Sequence, residues 1–176
     1  MGLLTSLVMV DHTAIPRRLI SGRRRCRNEN KGVLAVESEQ IRSWLELMRL
    51  PYNYDPDGNR YSIIYDVEGH RLPVIIEPTK PEWIKIRVRL GEINKIPEAN
   101  KLGFLREMLY GNFVLDDVTF SMDKDGVMYS ENDIPRSSNL ENFHSELTAV
   151  VLGALTFVRE IAPKFDMSPE DLIGES

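Results

Sequence analysis

The sequence predicts an α+β domain: a five-stranded antiparallel sheet with helices packed on one face, in the order helix, three strands, helix, two strands, helix. Residues 83–90 read Trp-Ile-Lys-Ile-Arg-Val-Arg-Leu, which puts Ile84, Ile86, Val88 and Leu90 on one face of a strand and Lys85, Arg87 and Arg89 on the other. One face is therefore core and the other is wet and basic. An apolar helical period precedes this strand and two more follow it. The remaining β-prone segments are joined by short turn signals, which implies antiparallel pairing and leaves the helices to cover a single face.

Each element can be justified in turn. Ser38 is placed to cap a helix over about 37–50, where Ile41, Trp44, Leu45 and Met48 recur at helical spacing and Pro51 ends the run. Asn53-Tyr-Asp55-Pro-Asp57-Gly58-Asn59 reads as a turn cluster. A strand is expected over 61–67, a hairpin tip at Glu68-Gly69-His70 and a return strand over 72–77, with Pro73 near its start where no ladder donor is needed. Pro78 and Pro81 bracket a bend before the alternating strand.

A second helix starts at Pro97, in whose first turn a missing N–H is tolerated. It shows Leu102, Leu105, Met108 and Leu109 on one face and ends at Gly111-Asn112. Strands over 113–122 and 127–132 are then joined by Asp123-Lys-Asp125-Gly126, with Asp116 and Asp117 on opposite faces of the first. Ser138-Asn-Leu-Glu141 is a capping box. It opens a helix whose apolar residues are Phe143, Leu147, Val150, Val151, Ala154, Phe157, Val158 and Ile161, up to Pro163.

With 176 residues, 42% hydrophobic and 28% charged, the chain fits one soluble domain that buries a core unaided. We divide it into a basic leader over 1–32, the α+β domain over 33–163 and a tail over 164–176 with room for a short helix. The net charge of −5 is unevenly spread: residues 1–31 carry seven Lys/Arg against two acids, and the rest is net −10. An acidic body argues against nucleic-acid binding, which needs clustered cations, except through the leader. The leader's apolar run, Leu7 to Val10, falls far short of the roughly 20 residues that span a bilayer, and its arginines follow rather than precede that run, so neither a membrane helix nor a secretory signal is expected. Its composition also suits a mitochondrial presequence; the plainer reading is a disordered tail or a start codon placed too early. The single Cys26 cannot form an internal disulfide, which fits a reducing, cytoplasmic setting.

No motif for catalysis, cofactor binding or metal ligation stands out, and no catalytic, cofactor or metal residue is assigned. Two segments imitate calcium loops. Asn53-x-Asp55-x-Asp57-Gly58 has Ile64 where a bidentate Glu is required, and the loop around Asp123 has Asn132 there, so both are read as turns. His70 and His144 have no partners near them in sequence and are read as surface histidines, and Cys26 lacks an orienting base.

The run Asn100-Lys-Leu-Gly-Phe-Leu-Arg-Glu-Met-Leu-Tyr-Gly-Asn-Phe and the later Phe120-Ser-Met-Asp-Lys-Asp-Gly-Val-Met-Tyr, set in this element order, resemble the type III secretion chaperone-like superfamily, especially its YbjN-like and uncharacterised archaeal branches. The resemblance covers about residues 34–163. It implies a noncatalytic binding module, often dimeric, that holds extended segments of other proteins.

Two sets of residues are candidates for binding. Lys85, Arg87 and Arg89, spaced by two residues, form a cationic line that suits an acidic peptide or phosphates; the alternative is a solvated face balanced by acids such as Glu77 and Asp117. From Ala149 to Leu155 the last helix is apolar all round, so either the first helix or a second subunit must cover it. Ala149, Val150, Leu152, Gly153 and Leu155 are the expected contacts of a homodimer. The functional expectation is a chaperone-like or regulatory protein-binding module with an unidentified protein or peptide partner and no membrane; nucleic-acid binding through the leader is the alternative.

Overall fold

The computed structural model describes residues 31–67, 70–80 and 82–167. Helix α1 (Lys31–Leu47) is followed by strands β1 (Asn53–Asp55), β2 (Arg60–Val67), β3 (His70–Lys80) and β4 (Trp83–Glu92). Helix α2 (Glu98–Val114), strands β5 (Thr119–Met122) and β6 (Val127–Pro135), and helix α3 (Leu140–Thr156) complete the order. The strands form one antiparallel sheet in the order β1-β2-β3-β4-β6-β5.

The sheet has six strands among the described residues, not five. The extra one is β1, cut from what reads in sequence as pure turn: Asn53, Tyr54 and Asp55 pair with Ser62, Tyr61 and Arg60. The turn proper begins at Asp55, whose carboxylate accepts the backbone N–H of Asp57 and of Gly58, both at 3.1 Å. A bend closed by an Asx side chain leaves no apolar signal, so the short strand before it is invisible to alternation.

Packing follows the predicted faces closely in most elements. Ile84, Ile86, Val88 and Leu90 of β4 are buried beneath the helices, as are all eight apolar residues named for the last helix. In α1, Ile41, Trp44 and Leu45 are buried, and Trp44 stacks on Phe143 of α3 with ring centroids 4.9 Å apart. Helix α1 begins at Lys31, so Ser38 lies within it rather than at its cap. It ends in a Schellman closure: the Leu50 N–H bonds the Leu45 carbonyl at 2.9 Å and the Arg49 N–H bonds the Glu46 carbonyl at 3.0 Å. Arg49 carries the left-handed φ of +56° that glycine adopts without strain. Arg49→Gly is therefore expected to stabilise the chain by about 0.5–1 kcal/mol in denaturant unfolding. A loss of stability would show that the arginine side chain, and not its backbone, sets the cost.

Other boundaries differ from expectation too: β3 runs from His70 through Pro78 to Lys80 rather than over 72–77, and β6 continues to Pro135. Asn139, not Ser138, caps α3: its Oδ1 accepts the Asn142 N–H at 2.9 Å. Residues 157–161 widen to a π turn and 162–165 tighten to a 3₁₀ turn, with Pro163 inside the latter. The largest difference is at the end of α2, which runs through Asn112 to Val114, so that β5 starts only at Thr119. Asp116 and Asp117 consequently lie in the connecting turn, Asp117 at φ +56°, and not on a strand. The cause is local: a Cβ on Gly111 would stand 2.5 Å from Cε2 of Phe120, so the bare glycine lets α2 press onto β5 instead of ending before it.

The predicted face of α2 is also corrected. Phe104 and Met108 point inward, while Leu102 and Leu109 are exposed. Phe104 is wedged between Phe157 and Phe165, at centroid distances of 5.7 and 5.3 Å, and these aromatic contacts set the helix rotation. Of the hairpin tip Glu68-Gly69-His70, the leader over 1–32 and the tail over 164–176, residues 68–69, 1–30 and 168–176 lie outside the described residues, and Lys31 and Gly32 fall in α1.

Candidate functional site

The basic row is where alternation places it, on the face of β4 opposite the core, but its charge is spent within the sheet. Lys85 Nζ lies 3.2 Å from Glu131 and 3.3 Å from Asp133, both on β6. Arg87 Nη2 donates to Glu77 of β3 at 2.6 Å, and its guanidinium stands over the Tyr129 ring at 5.2 Å. Arg89 Nη2 donates to Glu92 at 2.5 Å. An arriving anion would have to displace carboxylates already in contact. The arrangement ties β3, β4 and β6 together on the outer face, with Glu77 in its expected balancing role and Asp117 elsewhere.

The tip of the β5–β6 hairpin is closed by Asp123, whose carboxylate accepts the backbone N–H of Val127 and of Asp125, both at 2.9 Å, and the Tyr129 hydroxyl at 3.2 Å. The Val127 N–H foremost, then the Asp125 N–H and the Tyr129 hydroxyl, hold the Asp123 carboxyl below the ordinary value of 3.8. Its folded-state pKa thus lies under its unfolded one. The stability it contributes is complete above the unfolded value and is lost as pH falls through the folded one. Asp123→Ala is expected to remove this part of the acid sensitivity and to cost less than about 1 kcal/mol at neutral pH, because the turn is solvent-exposed; equal acid unfolding curves for the two proteins would contradict it. Glu146 of α3 behaves oppositely. Burial and the nearby Asp117 push its carboxyl up, against a hydrogen bond from Asn132 Nδ2.

The α3 residues expected at a subunit contact are placed as follows. Val150, Gly153 and Leu155 are buried inside the chain, Ala149 is half-buried and Leu152 is exposed. Gly153 sits against β6 and the end of the α2–β5 turn: a Cβ there would stand 2.5 Å from Ser130 Oγ and 2.5 Å from Val118 Cγ1. Ser130 Oγ, fully buried, donates to the Val150 carbonyl at 2.9 Å. The small residue of α3 thus serves a close helix–sheet approach.

Sequence reasoning missed the apolar surface on α2. Leu102, Leu109, Tyr110 and Phe113 are 73%, 67%, 60% and 84% exposed and follow one another at i, i+7, i+8 and i+11, a single helical stripe. The signal was present as a surplus: α2 carries more large apolar residues than one buried face uses.

The sheet also presents a backbone site. Ile64 of β2 stands opposite Pro73 of β3, and proline has no N–H to exchange, so this is a non-bonded ladder position. The N–H and C=O of Ile64, and two residues on those of Asp66, consequently point to the opposite edge. Strand β1 pairs only as far as Ser62, so this stretch of the β2 edge carries no ladder partner among the described residues.

His144 is exposed on α3, while Cys26 and the side chain of His70 lie outside what the structure describes. Among the described residues no cluster of three or more His, Cys, Asp or Glu could hold a metal, and no helix is long and apolar enough to cross a membrane.

The fold has clear counterparts among solved structures. The chain aligns with one in the structure of the ExsC–ExsE complex at a TM-score of 0.54 and 16% identity, over 73% of this chain and 95% of that one. A chain of the HopA1–SchA chaperone–effector complex aligns at 0.50 and 13% identity, over 73% and 96%. YbjN from E. coli aligns at 0.51 and 10% identity, over 68% and 89%. No protein-family model matches the sequence, and neither does any curated protein. The likeness is one of fold: these structures share the α+β arrangement described above.

Proposed function

We propose that this chain is a noncatalytic, chaperone-like or regulatory module that works as a homodimer in the cytoplasm and holds extended segments of a partner protein. The observation that carries the reading is a pair of open surfaces among the described residues: an apolar stripe on α2 and an unpaired backbone stretch on β2. An exposed apolar stripe of this size suits association, and an open strand edge suits the addition of an extended peptide. Fold counterparts in a chaperone–effector complex support the same reading. The ion-paired row Lys85, Arg87 and Arg89 acts here as a brace for the sheet.

The test is affinity capture with the full chain from its own cells, alongside Ile64→Pro. Because the Ile64 N–H faces outward, proline there breaks no bond to β3 but closes the edge. Partner recovery that falls at least tenfold in the variant supports strand addition. Recovery that is unchanged removes the β2 edge from the account, and recovery of nucleic acid alone, lost at high salt, favours the leader instead.

A further inference from the structure

The two edges of the sheet are not equivalent, and one side chain makes the difference. At the far edge from β1, strand β5 is bonded to β6 on one side only. The Asp123 N–H bonds the Val127 carbonyl at 2.9 Å, which fixes the ladder phase: Ser121 and Thr119 face β6, and the N–H and C=O of Phe120 and Met122 face outward. Asn112, near the end of α2, occupies the first of these positions. Its Oδ1 accepts the Phe120 N–H at 2.5 Å, and its Nδ2 donates to the Phe120 carbonyl at 3.0 Å.

One amide thus copies the two hydrogen bonds that a residue of a neighbouring strand would make. We infer that Asn112 is a strand-mimicking plug that closes the β5 edge against pairing with a second copy of this chain. The geometry is enforced from below. Gly111, beside the Phe120 ring, brings the helix close enough for a side chain as short as asparagine to reach the strand. With the plug in place one outward pair, that of Met122, is left on a four-residue strand, too little to seed a ladder. Without it two successive pairs are presented, and a row of unpaired N–H and C=O groups is what templates pairing with another chain. The inference does not depend on the proposed function: a plugged edge has the same consequence whether or not β2 takes a partner strand.

Amide exchange of the unmodified protein and sedimentation of variants together test it. In the unmodified chain the Phe120 N–H is expected to exchange at least tenfold more slowly than that of Met122, its equivalent without a partner among the described residues. Equal rates would mean that the plug is not formed and would overturn the inference. Asn112→Ala is expected to assemble beyond the wild-type mass as concentration rises, and the added change Met122→Pro, which removes an outward donor, to reverse that growth. An Asn112→Ala protein that keeps the wild-type mass up to millimolar concentration, or one whose growth Met122→Pro leaves untouched, overturns it as well.

Discussion

Gly153→Ala is expected to lower the stability of the chain by about 2 kcal/mol, although alanine is the better helix former by up to about 1 kcal/mol. The added methyl group would stand 2.5 Å from both Ser130 Oγ and Val118 Cγ1, inside any van der Waals contact. Neither neighbour yields cheaply. Ser130 is fully buried and its hydroxyl is committed to the Val150 carbonyl, so rotating it away leaves a buried oxygen without that partner. Val118 is buried where the chain enters β5, and a shift there moves the strand. Relief therefore requires α3 to lift from β6, and the helix carries buried Phe143, Leu147, Val150 and Ala154 with it. Thermal unfolding should show a fall of roughly 5–10 °C for a domain of this size. Trimming Val118 to alanine in the same chain should recover part of the loss, since two residues in contact do not act additively. A Gly153→Ala protein as stable as the parent, or more so, would mean that α3 is not seated as described and that propensity alone governs the position.

That glycine also shows where the sequence could be read and where it could not. Alternation along β4 and the helical period of α3 were legible because each residue's neighbours in sequence determine its face, and burial then followed those faces. The meaning of Gly153 was not legible. A small residue on an apolar helix allows a close approach, but the approaching surface, here Ser130 and Val118, is set by the fold and not by spacing along the helix. The same limit applies to Lys85, Arg87 and Arg89. Their spacing gives a line of charge, whereas the neutralisation of Lys85 and Arg87 depends on Glu77, Glu131 and Asp133 from two other strands, and only Arg89 finds its partner, Glu92, on β4 itself. Helix α2 failed for a different reason. It has apolar residues on more than one side, and only the aromatic contacts of Phe104 with Phe157 and Phe165 decide which side turns inward. Of the sites described, β4 was visible in advance, the α2 stripe was visible only as an unexplained surplus, and the β2 edge depended on a pairing with Pro73 that no single segment reveals.

Phe113→Glu is expected to weaken the proposed homodimer by at least about 2 kcal/mol, a rise of roughly 30-fold or more in its dissociation constant. At 84% exposure Phe113 contributes little to the folded monomer, so the substitution should leave unfolding stability within about 0.5 kcal/mol of the parent. At a contact between two copies the same residue would be desolvated. Aromatic anchors dominate such interfaces, and in a two-fold contact one substitution acts twice, once from each subunit. Tyr110, whose ring lies 6.4 Å from that of Phe113, continues the surface, and Leu109 and Leu102 extend it along the helix. Sedimentation velocity of the full chain distinguishes this contact from the one expected on α3. If the stripe on α2 joins the subunits, Phe113→Glu yields monomer while Leu152→Glu keeps the parent mass. If exposed Leu152 marks the contact, the outcomes exchange. A parent chain that sediments as a monomer at high concentration removes the homodimer altogether, and it leaves the α2 stripe as a surface on which a different protein must settle.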